Sequence, residues 1–500
     1  VTEPTPPLAL EGDPADLVEH LGGERVAVTA GLRRRLEASG AEVRDDGAAR
    51  AEAARDWWPL AIGWAARGGV PARPAVVVRP TDTAQVAAVL AACNQARVPV
   101  TPMAGRSGVC GGSVPARGGV ALDLTGLAGL VDVDTDSLLC DVAAGTFGPD
   151  LEAALSAHDL TVGHWPQSMD LSTVGGWLAC RGAGQYSTRY GKVEDMVVGL
   201  EVVLADGRVV RTEGAGPRAA TGPNLTQLFV GSEGTLGVIT EARLRCHPRP
   251  PAEGRRAATF SSFAAGLEAC RTILRRGATP AVLRLYDEVE SARHFEPIEG
   301  CALIVLDEAD DGLLAATLAV VDEEVARAGG RPADEGLVER WRAHRNDVSA
   351  LAPLWRGGVV VDTVEVAGRW GVLAPLAEDV ITALSGLEGT LVASVHQSHA
   401  YPDGACLYFT FAGRGPEDAG PEWGEAYYRR AWDTATARVL AAGAALSHHH
   451  GVGLNRARFL PQALGPAFSV LADLKAALDP AGILNPGTLG LPPDDAPPWP

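Results

Sequence analysis

Residues 75 to 103 change hydrophobic period twice within thirty positions. "AVVVRP" (75–80) is an unbroken apolar run closed by proline, the pattern of a short buried strand. "TDTAQVAAVLAACNQAR" (81–97) opens on a Thr/Asp cap and then repeats apolar residues at helical spacing. "VPVTPM" (98–103) is a second strand that runs out into glycines. The three predict a β-α-β unit with a glycine-rich exit loop. More strands follow in "VALDL", "LVDVDTDSLLCDVAAG", "VVGLEVVLADGRVV" and "LGVITEARLRCHP", interrupted by the helices "FGPDLEAALSAHD" and "LTQLFVGSEG". Asp206–Gly207 between two β-rich runs signals a hairpin.

Residues 71–250 therefore read as one α+β domain, behind a partly helical lead-in, 1–70, whose "RDWWPLAIGWAARGGVP" carries aromatics that must bury. The proline-rich joint "CHPRPPAEGRR" marks a boundary. Beyond it helices and strands alternate in "FSSFAAGLEACRTILRRG", "AVLRLYD", "CALIVLDEAD", 312–329, "VVVDTVEVAGRW" and "GACLYFTFAG". This predicts a second domain over 251–500, with a mixed sheet covered by helices on one face. No repeat of fixed period is evident.

Charge and cysteine usage narrow the function. A net charge of −19 on 500 residues argues against a nucleic-acid partner, so any bound anion must be met locally by arginines and backbone N–H groups. No window has the length of a membrane span. The eight cysteines never come closer than seventeen positions, which leaves neither a CxxC motif nor a compact disulfide framework. A cytoplasmic location is expected.

Three bare segments remain: "PMAGRSGVCGG" (102–112), "PQSMDLSTVGGWLACRGAGQYSTRYG" (166–191) and "GSEGTLGVIT" (231–240). Glycine lets a backbone approach a ligand closely, and successive N–H groups in one concavity bind anions. Three such elements in one domain point to a long, flat, anionic ligand of the dinucleotide type. The first loop is not the dinucleotide fingerprint, because a strand and not a helix follows it.

These segments resemble the FAD-binding domain of the vanillyl-alcohol oxidase and p-cresol methylhydroxylase superfamily. "GACLYF" and "LSHHHGVG" are similar to its alkyldihydroxyacetonephosphate synthase branch, and the resemblance runs from about residue 55 to 490. It implies a two-part, PCMH-type FAD-binding domain plus a cap domain. Pro102, Met103, Ala104, Gly105, Arg106, Ser107 and Gly108 would wrap the pyrophosphate. Gln167, Ser168, Asp170, Ser172, Thr173, Gly175 and Gly176, then Cys180, Arg181, Gly182 and Ala183, would continue along the cofactor. Glu233, Gly234, Thr235, Leu236, Gly237, Val238 and Ile239 would close over its adenine and ribitol end. Arg106 and Ser107 stand where some members attach FAD through a histidine, so the flavin is expected to be dissociable.

Tyr408, on a predicted strand, corresponds by the same resemblance to an acid/base near the flavin. His448, His449 and His450 would form the active-site wall, poised to hold charge near neutral pH. Consecutive residues cannot all face one metal, and no carboxylate or cysteine stands at ligand spacing, so no metal is expected. Arg284 matches an arginine near the catalytic centre, and an arginine on an apolar strand is costly unless it meets an anion. The synthase branch grips its substrate phosphate with an arginine where an ungapped alignment puts Leu351, with Arg345 and Arg356 to either side. The expected activity is flavin-dependent oxidation of an alcohol or hydroxy acid; the alternative is a redox-neutral, synthase-like transfer. A passive flavin carrier would leave Tyr408 and the histidines without purpose. The partners expected are a small-molecule substrate and, as electron acceptor, oxygen or a carrier; a homodimer stays open.

Overall fold

The computed structural model describes residues 13–14, 16–212, 216–347, 351–491 and 499. Two larger sheets lie in the N-terminal half, beside the two-stranded pairs Val18–Glu19 with Gly69–Val70 and Leu160–Thr161 with His247–Pro248. The first runs Glu42–Arg44, Val76–Arg79, Val120–Asp123, Val100–Met103, with the last three strands mutually parallel. The helix Thr83–Ala96 crosses between two of them, capped by the Asp82 carboxylate, which accepts from the Gln85 amide. The second sheet is antiparallel, in the order Val209–Arg211, Val197–Val203, Val238–Arg245, Leu139–Ala143, Leu130–Asp134. Gly207, at φ +90°, makes the predicted hairpin turn.

The seven-stranded sheet runs Arg331–Pro332, Ala252–Phe260, Cys301–Ala309, Val282–Tyr286, Thr390–Tyr401, Gly404–Gly413, Val360–Arg369. Its first long strand begins inside the proline-rich joint. Every pairing is antiparallel, where a mixed sheet was expected. The physical reason is a split β-α-β unit used twice. The helix Phe263–Arg275 joins two parallel strands two places apart, and Cys301–Ala309 fills the gap between them. The helix Trp370–Ser385 does the same with Gly404–Gly413 in its gap. The two units meet at Val282–Tyr286 and Thr390–Tyr401, a structural duplication that leaves no periodic trace in the sequence.

Helices 263–275, 370–385 and 421–441 cover one face and bury Leu283, Leu285, Val364, Val366, Leu407 and Phe409 with Trp432 and Tyr428. Trp58 and Trp64 of the lead-in are fully buried in that core, where the Trp58 indole donates to the Tyr428 hydroxyl at 2.9 Å. On the opposite face Val282, Ala302, Ile304 and Leu306 pack with Tyr186 and Tyr190 of the N-terminal half, while the strands 360–369, 390–401 and 404–413 present polar residues such as Glu365, His396 and Tyr408 in alternation. The C-terminal segment returns to the first sheet, where Val100 donates to Ile483 and accepts from Asn485.

Candidate functional site

Cross-strand register builds the site. Tyr286 faces His396, His396 faces Tyr408, and Tyr408 faces Glu365, so four strands contribute one row on the face turned from the helices. The neighbours of Tyr408 in sequence, Leu407 and Phe409, fill the opposite core. The Tyr408 ring stacks on His396 at 4.8 Å, and its hydroxyl accepts from Thr363 Oγ1 at 3.0 Å. Burial, with Asp362 and Glu365 nearby, pushes the phenol above its usual value and keeps it protonated.

The Arg284 guanidinium meets His396 Nε2 at 2.9 Å and donates to the Tyr286 hydroxyl at 3.1 Å. Arginine only donates, so His396 Nε2 accepts and Nδ1–H donates to Glu290, 2.7 Å away. Burial lowers the His396 pKa, with Glu290 opposing it. Burial works against charge on Glu290 also, but His396 and Arg293 hold its carboxyl down at about 2. Arg345 donates to the Gln185 side chain at 3.1 Å and lies over the rings of Tyr186 and Trp341; Arg284 lies over the same Trp341. Neither arginine has a carboxylate within ion-pair reach among the described residues. Together they set two guanidiniums beside Trp341, with the Asp170 carboxylate acting on Arg345 from beyond ion-pair reach. Leu351 packs against the helix-side core, and Arg356 is exposed.

The third component is the histidine turn. His448 Nε2 meets the Tyr401 hydroxyl at 3.0 Å, and His448 Nδ1 meets His449 Nδ1 at 3.0 Å. His399, stacked on His448, meets the Ser187 hydroxyl at 2.7 Å. His449 Nε2 and the ring nitrogens of His450 have no hydrogen-bond partner among the described residues, and both rings contact that of Tyr408. The expectation that this run holds charge near neutral pH does not survive its burial. Desolvation brings His448 down to about 3 and His450 to about 4, with His449 and His399 also well below the ordinary value. They are neutral imidazoles at pH 7.

Folding also brings Glu365 and Cys406 to His448 and His449, with ligand atoms all within 4.8 Å, an approach that linear spacing does not reveal. Both Glu365 oxygens already accept N–H or O–H donors, and Arg456 stands 3.0 Å away, so this donor set does not suit a cation.

The glycine segments meet one another. Gly231 and Glu233 donate to Leu178 and Ala179 at 2.9 and 3.0 Å, joining the third segment to the second. A Cβ on Gly105 would stand 2.2 Å from the Leu171 carbonyl oxygen, so only glycine lets the first loop lie against the second segment. Gly234, at φ +70°, closes the third segment on Pro102. Arg106, Arg181 and Glu233 are left-handed non-glycine residues at the bends. The side chains of Gln167, Asp170 and Arg181 are exposed, those of Met103, Ser172, Thr173 and Ala183 buried, and those of Ala104, Ser107, Ser168 and Cys180 half-buried. Arg106 turns to Glu52, and Ser172 accepts from the Trp177 indole at 2.6 Å. Thr173 caps the helix Val174–Cys180, in which Gly175 packs on Ala144 and Gly176 is exposed; Gly182 follows the helix. Leu236, Val238 and Ile239 fill apolar cores, with Gly237 against Val202 and Thr235 bonded to Ser232. Asp56 Oδ2, buried and unpartnered, lies near Gly108. Converging main chain, small side chains and an unsatisfied buried oxygen fit a bound dinucleotide.

Sequence reasoning missed His396, His399, Glu290, Arg456 and the role of Glu365. Their one local signal is polarity inside a β-run, as in "SVHQSHAY" and "VVVDTVEV".

This fold and site define a flavin-dependent enzyme, and the chain belongs to the FAD-linked oxidoreductases. Residues 74–213 match the FAD binding domain family, and 249–489 match the C-terminal domain of FAD-linked oxidases. The chain is 31% identical to the FAD-linked oxidoreductase YgcU of Escherichia coli K12, over 83% of this chain and 89% of that one. It is 28% identical to the glycolate oxidase subunit GlcD of Bacillus subtilis (83% and 89%) and 26% to the alkyldihydroxyacetonephosphate synthase of Caenorhabditis elegans (83% and 76%). Among solved structures, an alkyldihydroxyacetonephosphate synthase superposes with TM-score 0.76 at 24% identity, over 97% of this chain and 89% of that one. The protein is an FAD-dependent oxidoreductase. No helix among the described residues is long and apolar enough to cross a membrane.

Proposed function

We propose that the chain oxidises a small anionic alcohol, of the 2-hydroxy acid class, at the polar face of the seven-stranded sheet. The observation that carries this reading is the pair Arg284 and Arg345, two guanidiniums on one tryptophan with no ion-pair partner among the described residues. A carboxylate on the substrate completes them through charge-assisted bonds. His449, with Nε2 open and its ring stacked near Tyr408, takes the hydroxyl proton; the protonated Tyr408 phenol orients the same oxygen. A neutral imidazole can accept that proton, which an imidazolium cannot. The main chain of 102–108, 167–183 and 233–239 would hold FAD, which supplies the two-electron acceptor when bound. The test is anaerobic bleaching of the flavin by a panel of 2-hydroxy acids and matched neutral alcohols. Bleaching by the neutral alcohols alone would end the reading.

One observation favours a second reading, a redox-neutral exchange of an acyl for an alkyl group on a glycerone phosphate. Arg345 brings to the site the guanidinium that Leu351 lacks, and two arginines suit a phosphate dianion. An acyl-glycerone phosphate turned over without an electron acceptor would establish it.

A further inference from the structure

The turn that carries the three histidines is held from two sides by buried carboxylates. From the seven-stranded sheet, Glu365 accepts from the amides of His448, His449 (3.2 Å) and His450 (2.9 Å) and from the Ser447 hydroxyl (2.8 Å). From the third glycine segment, Glu233 accepts from the amides of Val452 and Gly453 at 2.6 and 2.7 Å. Between them they take every amide from 448 to 453 except that of Gly451. Gly451 turns the chain at φ +78°, where a Cβ would stand 2.7 Å from Glu233 Oε1.

The charges are arranged differently. Arg456, fully buried, stands 3.0 Å from Glu365 and also donates to the main-chain carbonyls of Glu365 and Leu446. Glu233 has no cation in ion-pair reach among the described residues. Asn485 Nδ2 instead bonds its main-chain oxygen and that of Gly112, both at 2.8 Å, tying the third segment to the end of the first loop.

We infer that Glu365 and Glu233 are positioning residues of the redox site, a two-sided clasp that fixes the main chain of 448–453 and so the stance of the His449 and His450 rings beside Tyr408. Neither carboxylate is offered to substrate. At Glu365, whose charge Arg456 supports, consecutive N–H dipoles converging on one anion form a nest, and such charge-assisted bonds are about twice as strong as neutral ones. A glutamine at 365 has the same shape but one acceptor oxygen, and its NH2 would face N–H donors. The turn must then shift, and a displacement of about 1 Å at a reacting group costs on the order of 10²-fold in rate.

This inference rests on the reading of His449 as the proton acceptor, and the experiment separates the two. The FAD-loaded full chain is compared with Glu365→Gln and Glu233→Gln by imidazole ¹⁵N spectra, flavin absorbance and the rate of flavin reduction. Glu365→Gln is expected to keep its flavin, move the ¹⁵N signals of the histidine turn, and lower kcat about 10²-fold with KM within about threefold. Glu233→Gln is expected to move the same signals with a smaller loss. Unchanged imidazole spectra in a folded, flavin-loaded Glu365→Gln would overturn the clasp. Moved spectra with unchanged kcat would uphold the clasp and end the role of His449. Amide exchange in the unmodified protein decides the matter should the variants not fold. Protection at 448, 449, 450, 452 and 453 is expected, and exchange as fast as in surface loops would overturn the proposal.

Discussion

Arg284→Met separates substrate recognition from stability. Arg284 is 8% exposed and makes no ion pair among the described residues, so its charge is largely desolvated. Methionine keeps the length and the contact with Trp341 while removing that charge. The folded state loses hydrogen bonds to His396 Nε2 and the Tyr286 hydroxyl, worth about 1 kcal/mol each, and is relieved of a buried, unpaired cation, a gain of the same order. Stability is therefore expected to stay within about 1 kcal/mol of the unmodified protein. Substrate recognition should respond far more. A charge-assisted bond to a carboxylate contributes about 1.5–3 kcal/mol, which is roughly 10- to 150-fold in kcat/KM for an acid substrate. A neutral alcohol of the same shape should lose less than about threefold, since nothing on it meets the guanidinium. The assay is stopped-flow bleaching of the flavin under anaerobic conditions, run with an acid and its amide or diol counterpart, alongside thermal unfolding. Equal losses on the acid and the neutral analogue would refute the anion reading.

Tyr408→Phe should leave flavin absorbance intact and slow flavin reduction by on the order of 10²-fold, measured in single turnover; an unchanged rate removes the phenol from the mechanism. Lys475→Met should cost about 3–5 kcal/mol, because the buried ammonium donates to Thr235 O, Leu484 O and Asp479 Oδ2, and its loss strands a buried carboxylate. Flavin retention on desalting should weaken with it, since Thr235 lies in the third glycine segment. The pH dependence of the melting temperature has two limbs. Burial holds Asp56 up at about 7, so its stabilising term is complete below the usual 3.8 and is lost as pH rises through about 7. Glu290, held down at about 2, contributes above the usual 4.5 and loses that contribution as pH falls toward about 2. From these two groups the melting temperature should peak at about pH 4, and Asp56→Asn should remove about 4 kcal/mol of the decline toward pH 8. A decline of undiminished slope in that variant would show that other groups cause it.

Local signals decided which parts of the fold could be read in the chain. The 75–103 unit, the Asp206–Gly207 hairpin and the burial of Trp58 and Trp64 rest on period, turn chemistry and apolar bulk, all of which act within a few residues. The glycine segments were legible for a related reason, since a chain that must pass close to another cannot carry side chains. The stretch "LTQLFVGSEG" shows the limit: only Thr226–Phe229 is helical, because Gly231 bends to φ +82° to meet Leu178. His396 and Glu365 became site residues only through register, which pairs them with Tyr408 from strands some ten and forty positions away. A row of side chains set by register across four strands has no linear signature. The antiparallel order of the sheet was hidden likewise, because alternation of helices and strands is common to parallel sheets and to split β-α-β units.

The same limit explains why alignment at Leu351 left open which neighbouring arginine, Arg345 or Arg356, would meet an anion. Alignment along the chain asks which residue occupies a position; recognition asks which guanidinium reaches a place. Arg345 follows the helix Gly336–His344, whose Trp341 it lies over, and arrives beside Arg284 from outside the strand that alignment inspects. On a chain of net charge −19 two such arginines cannot attract a substrate by the overall field, so selectivity must come from short-range charge that water no longer screens. Glu290 is paired elsewhere, with Arg293 at 3.4 Å, and reaches Arg284 only through His396. On the proposed reading the negative charge that meets both arginines arrives with the substrate. Oxidation and phosphate-dependent transfer differ in how much of it arrives, one charge or nearly two.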